Sequence, residues 1–263
     1  MGTQFPARVA VSFGSLSRKG RRDDIKKRAP GAADVGGQGM NKTQRLQKWF
    51  EARGRWDYAS YGEFLHVGAN QTTMRAALKG LEITEQTTVL DMACAVGGNA
   101  RWLASLFGCR VWGNDIDDAA LAVARDLAVI EEVSHLCTFV NARVEHTGFD
   151  PDHFDIVTST DIFDINEVRR VLRPGGRFIV SMLCTDPKAT FASLTREWRL
   201  ELEVAMDVTQ MALAFQRAKE EEAALLAVAG MIQPKDLVEM FNESIAPYTQ
   251  GGRHLLMRLR KKG

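Results

Sequence analysis

Two aspartates and a loop of small residues have the types and spacing to bind a polar ligand. Asp91 lies within the apolar run Val89–Met92, and the residues after this run read ACAVGGNA. Asp115 follows a second apolar run, 24 residues beyond Asp91, where a carboxylate can accept hydrogen bonds from two vicinal hydroxyls. A helix after the loop would direct its N-terminal amides at the same ligand. An acid beside those amides disfavours a pyrophosphate and favours a cationic nucleoside that carries an amino acid.

The elements that must position these residues alternate between strands and helices. The predicted strands are Val89–Met92, Arg110–Asn114, Cys137–Asn141, Phe154–Ser159 and Arg177–Met182. The predicted helices between them are Ala100–Phe107, Asp118–Ile130 and Val168–Leu172. This alternation favours a doubly wound, Rossmann-like α/β fold with a mostly parallel sheet. A last strand at His254–Arg260 would be an antiparallel edge of a seven-stranded sheet, and a weaker strand signal precedes it at Ser244–Thr249.

Composition divides the chain into four predicted regions. Residues 1–39 carry eight Lys or Arg against three Asp and little periodicity, which is typical of a disordered extension or a tag. Residues 40–82 are expected to form an N-terminal helical cap, and residues 83–187 the Rossmann-like core. Residues 188–263 are expected to form a helical lid or substrate region with the closing edge strand, because helix-forming residues dominate from 189 to 229.

The overall composition narrows the function classes. The 263 residues include four scattered cysteines without the spacing of a zinc site or a disulfide framework, so we predict a reducing, cytoplasmic setting and no metal. No apolar run approaches the roughly 20 residues that cross a bilayer. Outside residues 1–39 the chain has 26 basic and 30 acidic residues, which disfavours nucleic acid as a partner. A homodimer through helical segments stays an open option.

Four motifs in register resemble one family. The segments VLDMACAVGG, VWGNDID, FDIVTS and VLRPGGRFIV are similar to those of the class I S-adenosylmethionine-dependent methyltransferases. The resemblance implies that Asp91, Ala93 and Gly97 hold the methionine end of S-adenosylmethionine. It places the two ribose hydroxyls on Asp115 and the adenine amine on Asn141. The other residues expected at the cofactor are Cys94, Ala95, Asn114, Ile116, Ala142, Arg143, Thr158 and Tyr58.

Both adenosine residues also have plain structural interpretations. Asp115 could be the N-cap of the next helix, although Asp117 and Asp118 are better placed for that role. Asn141 could simply close a turn after its strand.

The loop departs from the usual glycine pattern of nucleotide-binding loops. DMACAVGG lacks the GxGxxG spacing of dinucleotide sites, and the chain has no GxxxxGKS or GxxxxGKT string. Ala93 and Ala95 would each cost about 1–2 kcal/mol in a left-handed conformation, against about 8 kcal/mol for a micromolar ligand. The β-carbon of Ala95 could also occupy cofactor space. The main alternative is therefore a catalytically inactive methyltransferase-like scaffold that binds a protein partner.

The class of acceptor is predicted by excluding two other classes whose sequence motifs are absent. The segment TSTDIFD after the fourth strand lacks the Asn/Asp-Pro-Pro-aromatic string that accompanies methylation of exocyclic amines on adenine or glutamine in this family. Cys184 lacks the Pro-Cys setting of pyrimidine methylation. We therefore predict methyl transfer to the O, N or C nucleophile of a small molecule.

Three side chains are candidates for the catalytic step. His66 would act as a general base, and Asp161 would orient the acceptor. Tyr61, together with Tyr58, would cover the cofactor. Each has a plainer interpretation: a structural or solvent-facing histidine, an N-cap of the next short helix, and aromatic core packing.

Overall fold

Strands and helices alternate in the part of the chain that the structure describes, which is residues 71–186, 198–214, 248 and 251–263 of a computed structural model. The strands are β1 (Thr88–Met92), β2 (Arg110–Asp115), β3 (Cys137–Asn141), β4 (Phe154–Thr160), β5 (Leu172–Cys184), β6 (Leu200–Asp207) and β7 (Arg253–Lys261). The helices with defined ends are α1 (Gln71–Leu78), α2 (Gly98–Phe107), α3 (Asp118–Ile130) and α4 (Ile165–Val171). Residues 209–214 are also helical.

The strands form one sheet in the order β3-β2-β1-β4-β5-β7-β6. Strands β1 to β5 run parallel, which confirms the doubly wound, mostly parallel seven-stranded fold. The chain leaves β1 for β2 on one side and later returns to β4 on the other, so the connections diverge at the carboxyl ends of β1 and β4. Met92, the last residue of β1, pairs with Asn114 of β2 and with Ser159 of β4. The loops that follow these three strands therefore meet at one crevice.

The carboxyl-terminal strands differ from the prediction in two ways. Strand β7 is antiparallel to β5 as expected, but it lies between β5 and β6, so β6 forms the edge. The helices expected over 189–229 are wrong for residues 200–207, which form β6. The sequence LELEVAMD contains strong helix formers, yet its apolar residues alternate with others at the period of a strand, and pairing with β7 uses this alternation. Of the weaker strand predicted at 244–249, only Tyr248 is described.

Aspartates start two helices at this edge of the sheet. Asp117 accepts hydrogen bonds from the amides two and three residues beyond it at the start of α3, and Asp164 does the same for α4. Asp117 is therefore the N-cap of α3, as its position indicated. Helix α3 then buries Leu121, Ala124 and Ala128 in the hydrophobic core on one face of the sheet.

The helical cap predicted for residues 40–82 overlaps the described chain only at its end, which contains helix α1. The sheet extends across the predicted boundary at residue 187, because β6 and β7 belong to it. Within the described ranges, every helix is too short or too polar to cross a membrane.

Candidate cofactor and acceptor site

The loop after β1 turns through three left-handed residues. Ala93, Ala95 and Gly97 have φ angles of 56°, 48° and 71°. Both alanines thus adopt the conformation that costs about 1–2 kcal/mol for a residue with a β-carbon. The amide of Cys94, between them, donates to the carbonyl of Asn114 at 2.9 Å, which ties the loop to β2. The turn delivers the chain to the N-terminus of α2 at the crevice, where the helix dipole is positive.

Two glycines allow the close packing beneath this loop. A β-carbon on Gly97 would lie 2.5 Å from the ring of Phe139, and one on Gly113 would lie 2.7 Å from Sγ of Cys94. Gly113 stands opposite Asp91 in the register of β1 and β2. Gly113 is absent from the predicted site residues, although a glycine that interrupts an apolar strand is a known signal of close approach by a neighbour.

Asp91 is a buried acid below the loop. It is 2% exposed, and its Oδ1 accepts a hydrogen bond from the hydroxyl of Thr158 in β4 at 2.8 Å. Burial raises the pKa of Asp91 from 3.8 to about 7, while hydrogen bonds from Thr158, the side chain of Asn99 and the amide of Ala100 lower it in part. A carboxyl in this setting favours a bound cation, because a nearby positive charge offsets the lost hydration of its charged form.

Asp115 connects the end of β2 to the loop. Its Oδ2 accepts the amide of Ala95 at 2.8 Å, and its Oδ1 accepts the amide of Asp117 at 3.0 Å. Each carboxylate oxygen has a second lone pair, so the group can still accept from a diol. The structure thus brings Asp115 and Ala95 into direct contact, and the same bond fixes the amide of one strained alanine.

The predicted adenine residues lie beside Asp115 at the ends of β2 and β3. Asn141 donates from Nδ2 to Oδ1 of Asp118 at 2.7 Å, which leaves its amide oxygen as the acceptor on offer. Backbone and side-chain bonds also tie Ala142 to β2: its amide donates to the carbonyl of Asp115, and its carbonyl accepts from Asn114. Ile116 is 66% exposed and presents an apolar surface next to these groups. Arg143 is exposed and pairs with Glu145.

Asp161 has a different role from the helix cap that was its plainer interpretation. It follows β4 with a φ of 58°, it is 2% exposed, and Asp164 caps the next helix instead. Its amide donates to the carbonyl of Ser181, and its Oδ1 accepts the amide of Leu183 at 2.7 Å. Asp161 therefore joins the ends of β4 and β5, and its part in orienting an acceptor stays a prediction.

The predicted residues of the N-terminal cap, His66, Tyr61 and Tyr58, lie outside the described residues, so their roles also stay predictions.

The sequence analysis missed a buried polar group at the start of β7. His254 is 1% exposed, its Nε2 lies 2.8 Å from Oγ of Ser181, and its Nδ1 lies 2.7 Å from the hydroxyl of Tyr248. In the sequence, His254 is only the first residue of an apolar run. Its partners are 73 and 6 residues away, and they become visible only when β7 is paired with β5.

Comparison with known proteins assigns this arrangement to a family. Residues 90–180, which span β1 to β4 and most of β5, match the family described as "Methyltransferase domain". This part of the chain is therefore similar to a methyltransferase domain. The recognised motifs and the sheet order of the methyltransferase domain thus agree with the family that the sequence resembles.

Two curated relatives and one solved structure are similar to this chain. A glycine/sarcosine/dimethylglycine N-methyltransferase of Actinopolyspora halophila is 30% identical over 148 residues, which are 53% of this chain and 25% of that protein. A sarcosine/dimethylglycine N-methyltransferase of Halorhodospira halochloris is 31% identical over 146 residues, 48% of this chain and 51% of that protein. The matches therefore span about half or less of these relatives. Phosphoethanolamine N-methyltransferase 2 of Haemonchus contortus, solved in complex with S-adenosyl-L-methionine, shares the fold with a TM-score of 0.67 at 17% identity, over 87% of this chain and 61% of that chain.

S-adenosylmethionine is the methyl donor of this class, and the described residues fit it chemically. The crevice offers a buried acid for an ammonium group in Asp91, a partly exposed carboxylate for a diol in Asp115, and an exposed apolar side chain for a base in Ile116. The β-carbons of the two alanines are accommodated without breaking the hydrogen bonds that shape the loop.

Proposed function

We propose that the chain transfers a methyl group from S-adenosylmethionine to a small-molecule acceptor. The observation that carries this proposal is the bond between Asp115 and the amide of Ala95, because it unites the loop and the second-strand acid in one crevice. S-adenosylmethionine supplies an electrophilic methyl group on a sulfonium, so the protein needs mainly to align the acceptor with it.

Each end of the cofactor has a residue of suitable chemistry. Asp91 would pair with the α-ammonium of the methionine part, assisted by the N-terminus of α2. Asp115 would accept from the ribose hydroxyls. Ile116 would contact one face of the adenine, and Asn141 would accept from the adenine amine. The order of these residues runs from β1 toward β3, so the sulfonium end would lie near β4, and an acceptor would lie over β4 and β5.

We further propose that the acceptor nucleophile is a small aliphatic amine. The support is that both curated relatives described above are named as N-methyltransferases of glycine derivatives. Oxygen and carbon nucleophiles are the alternatives for the same donor, and an acceptor screen separates these classes. A reducing, cytoplasmic location and a homodimer through helical segments remain predictions from the sequence.

The inactive-scaffold alternative rested on the two alanines of the loop. The hydrogen bonds of the loop argue against this alternative, because the loop keeps its bonds to Asn114 and Asp115 although both alanines are left-handed and carry β-carbons. The strain of two such residues, about 2–4 kcal/mol in total, is smaller than the binding free energy of a micromolar cofactor.

The test is calorimetric titration of the full chain with S-adenosylmethionine and with S-adenosylhomocysteine. We expect micromolar binding of both, and a loss of at least about tenfold in Asp115→Asn, which keeps one acceptor oxygen for the backbone but removes the charge. Asp150→Asn, an exposed aspartate away from the crevice, is the matched control and should bind as the wild type does.

Methyl transfer itself is then assayed with glycine, sarcosine and dimethylglycine, by the appearance of S-adenosylhomocysteine and of the methylated amine. A folded chain that fails to bind S-adenosylmethionine would refute the proposed function. Binding of the cofactor without methylation of any amine, but with methylation of an alcohol or a carbon acid, would refute only the amine.

A further inference from the structure

The carboxyl edge of the sheet holds a second polar cluster, beyond the cofactor crevice. Strand β7 is antiparallel, so its first residues lie at the carboxyl end of β5, where Leu183 pairs with His254. Adjacent strands are about 4.8 Å apart, which puts β5 about 10 Å from β1 across β4. A cofactor that extends from β3 to β4 therefore leaves this cluster on the side where the acceptor of the proposed reaction must lie.

Three side chains of this cluster form a continuous hydrogen-bonded network. The hydroxyl of Tyr248 lies 2.7 Å from Nδ1 of His254, and Nε2 of His254 lies 2.8 Å from Oγ of Ser181. His254 and Ser181 are each 1% exposed, whereas Tyr248 is only partly buried. The network thus leads from a partly buried tyrosine to a histidine and a serine that are fully buried.

The imidazole is held in place from both neighbouring strands. The amide of His254 donates to the hydroxyl of Thr209 at 2.9 Å, and its carbonyl accepts from Val208 at 2.8 Å, so the end of β6 fixes its backbone. On the other side, Asp161 binds the backbone of β5 at Ser181 and Leu183. These bonds fix the backbone on which the ring is carried, and the ring itself is held by its contacts with Ser181 and Tyr248.

The protonation states of Tyr248 and His254 follow from their surroundings. Burial, and after it the negative charge of Asp161, raises the pKa of Tyr248 above its ordinary value of 10.0. The phenol therefore keeps its proton at neutral pH and can donate it to Nδ1. In that arrangement a neutral His254 carries its proton on Nε2 and donates it to Ser181.

We propose that Tyr248, His254 and Ser181 form a proton relay that removes a proton from the acceptor for methyl transfer. The inference rests on the proposed function and adds a base to it, since an aliphatic amine is protonated at neutral pH and must lose that proton before its lone pair can attack the methyl carbon. Tyr248 is the residue that contacts the acceptor, and His254 and Ser181 act through it.

The relay step balances in atoms and charge. The acceptor nitrogen forms its bond to the methyl carbon as the bond from that carbon to sulfur breaks, and sulfur keeps the electron pair. Before this attack, one proton of the acceptor ammonium passes to the phenol oxygen of Tyr248 while the phenol proton passes to Nδ1 of His254, and the methylated nitrogen then carries the positive charge that leaves sulfur. The resulting imidazolium donates from Nε2 to Ser181 and later returns its extra proton to solvent through Tyr248.

The first test compares Tyr248→Phe and His254→Gln with the wild type, with sarcosine as acceptor. We expect kcat to fall by about 100-fold in each, the lower end of the range for general acid–base catalysis, while the Kd for S-adenosylmethionine stays unchanged. The double variant should be no slower than either single variant, because the two residues act in one relay. His153→Gln is the matched control, since this histidine packs beside Trp112 and Phe154, at the amino-terminal end of β4, and should leave kcat unaltered.

The second test reads the relay directly and requires no turnover. Long-range ¹H–¹⁵N spectra of the wild-type chain should show His254 as the Nε2–H tautomer, and Tyr248→Phe should shift its Nδ1 resonance. A wild-type kcat in Tyr248→Phe, independent effects of the two substitutions, or the Nδ1–H tautomer would each overturn the relay. Failure of the wild type to bind S-adenosylmethionine would instead overturn the proposed function, whatever the tautomer.

Discussion

Replacement of Asp91 by asparagine should make the fold more stable while it destroys cofactor binding. Burial raises the pKa of this carboxyl from 3.8 to about 7, so the folded chain holds a proton that the unfolded chain releases near pH 4. The free energy of unfolding therefore falls as the pH rises from about 4 to 7, because in this window the native state binds more protons. At 1.36 kcal/mol per pKa unit, the loss is about 4 kcal/mol and is complete just above pH 7.

Asp91→Asn removes the ionisation and with it this loss. The amide keeps an oxygen for the hydroxyl of Thr158. We expect the variant to be more stable than the wild type by up to about 4 kcal/mol at pH 8, and the difference to shrink steadily toward pH 4. Urea unfolding at pH 8, 6.5 and 5 measures it. Asp150→Asn, at an exposed position, should show no such trend.

Cofactor affinity should respond in the opposite direction. If the ionised form of Asp91 binds the α-ammonium, the fraction of chain that is ready to bind falls from about one half at pH 7 to about 3% at pH 5.5, which raises the Kd about 15-fold. The α-amino group of the ligand stays protonated over this range, so it adds little to the change. In Asp91→Asn, binding should be weak and independent of pH. A variant that is less stable than the wild type at pH 8, or a wild-type Kd that does not change with pH, would refute this reasoning.

Two further predictions concern the packing of the loop. Ala95→Gly should raise the free energy of unfolding by about 0.5–1 kcal/mol, because the relief of left-handed strain exceeds the added entropy of the unfolded glycine. The control Ala76→Gly, on the exposed side of α1, should lower the free energy of unfolding by about 1 kcal/mol. Urea unfolding measures both changes, and changes of the same sign would contradict the assigned strain. Gly113→Ala should lower the free energy of unfolding by about 1–3 kcal/mol and weaken S-adenosylmethionine binding, because the added β-carbon would overlap Cys94 and Phe139. Thermal melting and calorimetric titration measure the two effects. An unaltered Tm would show that the loop can move away freely.

The sequence predicted those parts of the fold in which local pattern and tertiary context agree. Asp118–Ile130 and Cys137–Asn141 have the predicted bounds, since the first has a clear helix period with a capping aspartate and the second is a short apolar strand between polar turns. The motif positions Asp91 and Asp115 also lie together at the crevice, because the carboxyl ends of parallel strands meet at one edge of the sheet.

The features that the sequence did not reveal depend on register across distant strands. β6 has a helix-like composition with the alternation of a strand, and its pairing with β7 decides between the two. Gly113 matters because Cys94 packs on it, and His254 because Ser181 stands beside it in the sheet. The glycine signals that a neighbour approaches closely, but a single sequence does not identify the partners of Gly113 or His254 until the order of the strands is known.

The two alanines show how the rest of the crevice determines what the loop tolerates. A left-handed alanine is disfavoured by about 1–2 kcal/mol, so the loop needs compensating bonds to hold its shape before a ligand arrives. Asp115 supplies one through the amide of Ala95, and Asn114 supplies another through the amide of Cys94. A hydrogen bond to a charged group contributes about 1.5–3 kcal/mol, which is enough to offset the strain of one such residue. The acid proposed to bind the ribose therefore also stabilises the loop proposed to bind the methionine end, so loss of its charge should weaken both halves of the cofactor site together.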